Sequence, residues 1–384
     1  MVRNLAYAVL YPYSRLVYGV KIEKFKEQAG RKFLVLLNHQ TPFDQFFVGM
    51  AFKGPIYYMA TEDIFSMGFV SKLIKYLVAP IPIKKQTTDI RAVLNCMRVA
   101  KEGGTICIAP EGNRTYSGRT EYMNPAIVSL VKKLSLPLAF YRLEGGYGVQ
   151  PRWSDVVRKG SMRGYISRVV EPEEYKAMSD DDLMALIKAE LYVDEANLSG
   201  EFCHKKRAEY LERCIYVCPF CGLSSFYSKG SITRCEKCGR EVEYMPDKRL
   251  KGVGYDHPFP FVAQWYEYQK DFINSLDITA FTEKPLYKEN GDVYEVELYK
   301  KKHLVKENAM LSLYGDRVTV NDTVFLFDTV SHITVLGKNK LNIYSEGKVY
   351  QIKGDKHFNA LKYTHFFHRY KNIKGANNDR FLGL

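Results

Sequence analysis

The stretch Phe33-Leu34-Val35-Leu36-Leu37-Asn38-His39-Gln40-Thr41-Pro42-Phe43-Asp44 decides how the first half of this chain is read. Five consecutive apolar residues suit a strand buried inside a sheet that helices cover. The run stops abruptly at Asn38, and polar residues at the carboxyl end of a buried strand are where α/β sheets place their ligand sites. His39 and Asp44 are five positions apart, so no regular helix face aligns them. Pro42 between them predicts a turn that folds the carboxylate back onto the imidazole. A carboxylate so placed fixes the tautomer and leaves the distal nitrogen as a general base near neutral pH. Alone, a histidine beside an aspartate is more often a structural hydrogen bond than a catalyst.

Outward from this segment, residues 20–200 alternate short β-branched or aromatic runs with helical stretches. Strands are expected over 33–37, 56–59, 81–83, 105–109, 136–141 and 164–170, and helices over 65–77, 90–101, 125–134 and 180–191. This alternation predicts an α/β domain, a mixed, largely parallel sheet sandwiched by helices. The strand 105–109 also runs into a polar turn, Pro110-Glu111-Gly112-Asn113-Arg114-Thr115. Gly112 permits close backbone approach there, and Arg114 offers a fork suited to phosphate. A third strand end adds the cations Lys84 and Lys85.

With these blocks in order, the sequence resembles the glycerolipid acyltransferases, the family that includes 1-acylglycerol-3-phosphate acyltransferase. The family's NHxxxxD block is present as Asn38 through Asp44, and its FPEGTRS block corresponds to Ala109 through Thr115. Its middle block, an apolar strand followed by arginine, takes the form Ile81 to Lys85, and a fourth block with proline matches Leu136-Pro137-Leu138-Ala139-Phe140. Order and spacing agree over residues 10–195. The resemblance implies the glycerolipid acyltransferase fold. It makes His39 the base that deprotonates an acceptor hydroxyl and Asp44 the residue that orients it. It also implies that Glu111 and Gly112 shape the acceptor site, while Arg114 with Lys84 or Lys85 holds a phosphate. The donor so implied is acyl-CoA or acyl-carrier protein, and the acceptor a lysophospholipid such as 1-acyl-sn-glycerol-3-phosphate. No covalent acyl-enzyme is required. Lysines in place of the middle-block arginine, Asn113 in place of threonine and Thr61 in place of a common lysine are departures that bear on the acceptor.

Cys218-Pro-Phe-Cys221 and Cys235-Glu-Lys-Cys238, with thirteen residues between them, have the spacing of a zinc ribbon. Four sulfur ligands leave no open coordination position, so the expected Zn2+ is structural. Eight cysteines with this distribution are not a secreted disulfide framework, which favours a reducing compartment. From residue 287 the texture changes to about seven short strands, followed by a helix over 355–370, the pattern of a mainly-β PH-like barrel with a C-terminal helix. The expected organisation is therefore an acyltransferase domain over 1–200, a zinc ribbon over 203–250, a connecting helix over 257–284 and the PH-like domain over 285–384.

The composition of this 384-residue chain, 46% hydrophobic and 26% charged, excludes a disordered or fibrous protein. The formal charge of +13 favours an anionic partner: phospholipid headgroups, coenzyme A or nucleic acid. No apolar run is long enough to span a membrane. Residues 1–19 instead carry apolar positions at three- and four-residue steps with tyrosines among them, an amphipathic helix that suits the membrane interface and equally suits packing on its own domain. The expectation is a peripheral protein on the cytoplasmic face of a membrane. A nucleic-acid-binding ribbon protein would account for Lys205-Lys206-Arg207 but leaves His39, Asp44 and the Glu111 turn unexplained. Nucleic acid is therefore not the expected partner. A catalytically silent lipid-binding scaffold is the other reading, and loss of activity on replacing His39 separates it from an enzyme.

Overall fold

The computed structural model describes residues 2–61, 65, 72, 79–83, 90–297, 302–375 and 380–383. The expected helix over 65–77 and the residues Lys84, Lys85, Lys300 and Lys301 lie wholly or mainly outside that set. The chain forms two compact units, Met1–Arg152 with Val157–His204, and Trp153–Val156 with Lys205–Leu384.

In the first unit, helix α1 (Val2–Val17) leads into strand β1 (Val20–Ile22). There follow β2 (Leu34–Leu37), α2 (Asp44–Ala51), β3 (Ile56–Thr61), β4 (Ile81–Ile83), α3 (Ile90–Lys101) and β5 (Thr105–Ile108). The unit continues with α4 (Ala126–Leu134), β6 (Leu138–Glu144), α5 (Gly146–Val149), β7 (Met162–Val170), α6 (Pro172–Lys176) and α7 (Asp180–Leu191). The seven strands form one sheet in the order β1-β7-β6-β2-β5-β3-β4. β6, β2, β5, β3 and β4 run parallel to one another, and only the β6–β7 pairing is antiparallel. Strand β1, which no apolar run announced, pairs parallel with β7 at the sheet edge.

Side chains on successive strand residues point to opposite faces, so a strand covered on both sides must be apolar throughout. β2 obeys this rule. Leu34 and Leu36 join one core with Ile106, Ile108, Leu138, Phe140, Val131 and Ile187, whereas Val35 and Leu37 join another with Cys107, Ala139, Tyr141 and Phe47. Helix α1 packs Tyr7 and Leu10 against the second core and leaves Val9, Tyr11, Tyr13, Leu16 and Val17 exposed. It is therefore both a packed helix and one with an apolar outer face. No described helix is long and apolar enough to cross a membrane. Helix α7 starts where its Ser-Asp-Asp signal places it: Ser179 Oγ accepts from the Asp182 N–H at 3.1 Å.

Among the described residues, the second unit contains two sheets of three or more strands. The smaller is built from β10 (Phe226–Lys229), β11 (Ile232–Cys235), β12 (Glu241–Tyr244) and β13 (Leu250–Gly252), beside the two-stranded hairpin of β8 (Val217–Cys218) and β9 (Gly222–Leu223). Helix α8 (Val262–Ser275) follows. The larger sheet comprises β14 (Tyr287–Glu295), β15 (His303–Leu313), β16 (Arg317–Val320), β17 (Thr323–Leu326), β18 (His332–Leu336), β19 (Lys340–Ser345) and β20 (Lys348–Gly354). It is antiparallel throughout, in the order β17-β16-β15-β14-β20-β19-β18, and curls into a half-barrel. The terminal helix α9 (Leu361–Lys374) packs against β18. It begins six residues later than the sequence suggested. Asp355 accepts from the His357 N–H at 2.8 Å and Asn359 from the Lys362 N–H at 3.1 Å, and these side-chain bonds turn the backbone before the helix starts.

Truncating Ile187, fully buried in α7, is expected to cost about 2–5 kcal/mol, whereas Ser179→Ala removes one cap worth about 1 kcal/mol. Chemical denaturation of the two variants checks this ranking, and equal losses would show that α7 is held by its cap rather than by its packed face.

Candidate active site and cysteine cluster

β2 and β5 are parallel, hydrogen-bonded neighbours, with Leu34 opposite Ile106 and Leu36 opposite Ile108. Their carboxyl ends therefore fall side by side, and the turns that follow them meet. This register brings Asn38–Asp44 together with the Glu111–Thr115 turn, two segments some seventy positions apart in the chain.

Asp44 opens α2 and is fully buried. One of its oxygens receives the Gln40 N–H at 2.6 Å, and the other receives the Thr41 N–H at 2.9 Å and the Thr41 hydroxyl at 2.6 Å. With these donors in place, the carboxylate sits 2.8 Å from His39 Nδ1. An ionised carboxylate only accepts, so Nδ1 carries the proton and Nε2 holds the free lone pair. Nε2 has no protein partner among the described residues, and the His39 side chain stays 27% exposed.

The histidine's backbone is held as firmly as its ring. Its N–H donates to Glu111 Oε1 at 3.0 Å, while Glu111 Oε2 accepts from the Glu121 N–H at 3.2 Å. Both Glu111 oxygens are thus engaged by backbone. Burial pushes its carboxyl up to about 8, against the opposing pull of those two N–H donors. On either side of His39, Asn38 exchanges two hydrogen bonds with the backbone of Leu143, at 2.8 and 2.7 Å. Gln40 donates to Glu195 Oε1 at 3.0 Å and accepts from the Tyr147 N–H at 3.2 Å, and Glu195 Oε1 also takes the Gly145 N–H at 2.7 Å.

Of the remaining candidates, Gly112 and Arg114 belong to the turn that meets this pair. Gly112 is exposed, with open space where a Cβ would stand. Arg114 is half-buried, and burial together with neighbouring Arg152 pushes it down to about 10, so it remains a cation at neutral pH. Its Nη1 is enclosed without a hydrogen-bond partner among the described residues. Arg152 Nη1 donates to the Arg114 carbonyl at 2.9 Å, and its guanidinium lies 4.3 Å from the Tyr116 ring centre. Lys84 and Lys85 lie outside the described residues; β4, which precedes them in sequence, stands three strand positions from β2, about 14 Å away. The sequence reading missed Gln40, Arg152 and Glu195. Glu195 lies 155 positions beyond Gln40, and nothing local in the sequence signals that contact.

The four cysteines of the paired motifs converge in the second unit, their sulfurs all within 4.8 Å of one another. Cys218 and Cys238 are 3.7 Å apart, and Cys221 and Cys235 are 3.6 Å apart. A zinc–sulfur bond of about 2.3 Å sets tetrahedral sulfurs roughly 3.8 Å from one another, so the spacing fits a four-coordinate metal. Gly222 and Gly239, at φ of 76° and 74°, turn the chain back after each pair in a conformation that side chains disfavour.

Residues 19–141 match the family model described as Acyltransferase. Among solved structures, the 1-acyl-sn-glycerophosphate (LPA) acyltransferase PlsC from Thermotoga maritima aligns over 49% of this chain and 78% of its own length, at 20% identity and a TM-score of 0.40. No curated protein matches. The matched residues, 19–141, contain the His39–Asp44 pair and the Glu111 turn.

Proposed function

We propose that the chain moves a fatty acyl group from acyl-CoA or acyl-carrier protein to the free hydroxyl of a lysophospholipid, most specifically 1-acyl-sn-glycerol-3-phosphate. The observation that carries this reading is the clamped His39–Asp44 pair, with its Nε2 bare at the carboxyl edge of the sheet. Nε2 takes the hydroxyl proton as the acceptor oxygen forms a bond to the thioester carbon. The carbon–sulfur bond then breaks, and the imidazolium returns its proton to the departing thiolate. Asp44 stabilises the imidazolium and keeps the ring in the productive tautomer. Glu111 acts by fixing the His39 backbone, and Arg114, with a buried unpartnered nitrogen, supports an anionic acceptor.

The exposed apolar side chains of α1 and the formal charge of +13 support peripheral binding to an anionic, cytoplasmic membrane face. In the second unit, Cys218, Cys221, Cys235 and Cys238 would hold Zn2+, which supplies a cross-link to a four-stranded sheet too small to bury a large core. We read the half-barrel that follows it as PH-like.

His39→Ala is expected to lower kcat by about 10²–10⁴-fold with little change in the unfolding midpoint. An unchanged rate in an acyl-transfer assay would sink the mechanism. Glu111 has a folded pKa raised above its ordinary value, so its contribution to stability is complete below about pH 4.5 and is lost as pH rises through about 8. Unfolding midpoints measured from pH 5 to 8 should therefore fall more steeply for the native chain than for Glu111→Gln; parallel curves would contradict that ionisation. Elemental analysis of protein prepared without chelator should find about one zinc per chain, and Cys235→Ser should lose it. Metal-free native protein would remove the zinc assignment.

A further inference from the structure

Helix α3 (Ile90–Lys101) is apolar on two opposite sides, and the fold covers one of them. Each residue advances an α-helix by about 100°, so Ala92, Cys96 and Val99 share a side. All three are buried, and Cys96 and Val99 join the core of Ile106, Val131 and Ile187. Ile90, Leu94 and Met97, at steps of four and three, share the opposite side and are 67%, 58% and 43% exposed. A surface helix ordinarily turns polar residues outward, and a continuous apolar stripe in that place marks an interaction site. The stripe is framed by cations. Arg91 and Arg98 stand seven positions apart in a row beside it, and Lys101 continues its line past Met97. All three are exposed, and none of their side chains has a partner among the described residues. The helix itself contains no acidic residue.

Charge and shape narrow the occupant. A second copy presenting this same side would meet its own positive charge, which like-charge repulsion opposes. A small anion is held in a concavity, which the outward side of a helix does not form. The complement is a larger surface, acidic and partly apolar: an acidic protein or an anionic bilayer. The sheet decides between the two. The exposed side chains of α1, which support membrane binding, belong to the layer over Val35 and Leu37, whereas α3 belongs to the layer over Leu34 and Leu36. Successive strand residues point to opposite faces. The outer sides of α1 and α3 therefore lie on opposite sides of the sheet, and one flat bilayer cannot take both. The topology also sets α3 beside the chemistry. β4, β3, β5 and β2 run parallel. The connection from β4 to β5 must return across the sheet, so α3 starts on the edge that carries His39.

We propose that the outer side of α3 docks an acidic protein that brings the acyl group as a protein-bound thioester, so that the donor is an acyl-carrier protein. The proposal rests on the acyltransferase reading above and chooses between the two donors which that reading leaves open. Arg91, Arg98 and Lys101 steer the carrier and pair with its carboxylates, while Ile90, Leu94 and Met97 cover its apolar side chains. None of the six touches the reacting atoms; they bind the carrier.

The test is steady-state transfer by the full chain to 1-acyl-sn-glycerol-3-phosphate from two donors, acyl-carrier protein and acyl-CoA bearing the same acyl group. It is combined with calorimetric titration of acyl-carrier protein into the chain. Arg91→Glu with Arg98→Glu should raise KM for acyl-carrier protein by about tenfold or more, with kcat changed no more than about threefold and acyl-CoA kinetics unaltered. Leu94→Ser should shift the same KM by less. Added salt should weaken carrier binding to the native chain, and weaken it less in the double variant. Unfolding midpoints show whether the variants fold. An unchanged KM, equal losses with both donors, or a native chain that uses acyl-CoA alone would overturn the docking surface while leaving the acyltransferase reading in place. Variants that keep carrier binding but no longer sediment with vesicles of phosphatidylcholine and phosphatidylglycerol would give the face to the membrane instead. Self-association of the native chain that the double variant abolishes would give it to a second copy, and either result overturns the proposal. A native chain that transfers from neither donor would defeat the acyltransferase reading, and the titration then decides the surface alone. Carrier binding that weakens about tenfold or more in the double variant supports it, and absent or unaltered binding rejects it.

Discussion

Hydrogen bonding between two parallel strands, β2 and β5, decides where the His39–Asp44 turn meets the Glu111 turn. Parallel pairing means that both strands end on the same edge of the sheet, and the register of Leu34 with Ile106 and Leu36 with Ile108 means that they end at the same height. A one-residue slip would turn every side chain of β2 to the opposite face. Because both faces are buried in separate cores, such a slip exchanges one fitted set of neighbours for another, and packing resists it. The precision of the His39 site is thus borrowed from apolar residues that never meet a substrate. Asp44 can remain buried for a related reason. Three donors from Gln40 and Thr41 satisfy its oxygens before the imidazole is counted.

Positioning of the His39–Asp44 turn is distributed among several buried side chains that bond to backbone. Glu111 is the clearest case. A resemblance to the acyltransferase blocks suggests that it shapes the acceptor site, yet both its oxygens are spent on backbone N–H groups, one of them His39's own. It acts as an internal strut between the two strand-end turns. Asn38 and Gln40 do the same work toward the segment 143–147. In this arrangement the ring of His39 is oriented once by Asp44, while its main chain is fixed independently, so the two can be perturbed separately.

How much of this could be read from the sequence depended on whether the signal was local. Continuous apolar runs announced β2 and β5, and the spacing of Asn38, His39 and Asp44 announced the turn that joins His39 to Asp44, because sheet burial and a proline-containing turn both act over a few residues. The Ser179 cap marked the start of α7 for the same reason. Strand β1 was invisible: three residues with one exposed lysine look like any loop until β7 pairs with them. The start of α9 was misjudged because side-chain bonds from Asp355 and Asn359 compete with helical ones. The contacts of Glu195 and Asp194 had no local signature at all. They join a turn near residue 40 and a loop near residue 119 to a strap past residue 190, and only the folded chain brings these together.

That strap has a consequence for where the working domain ends. The family match stops at residue 141, yet the segment that holds Gln40 is synthesised some fifty residues later. A chain emerging from the ribosome would display a complete histidine–aspartate pair well before the wall beside it arrives. A fragment cut at the family boundary would likewise contain the motif without the enclosure. A piece that keeps both the His39–Asp44 turn and the contacts that hold Gln40 therefore runs past Glu195, beyond the residues of the family match.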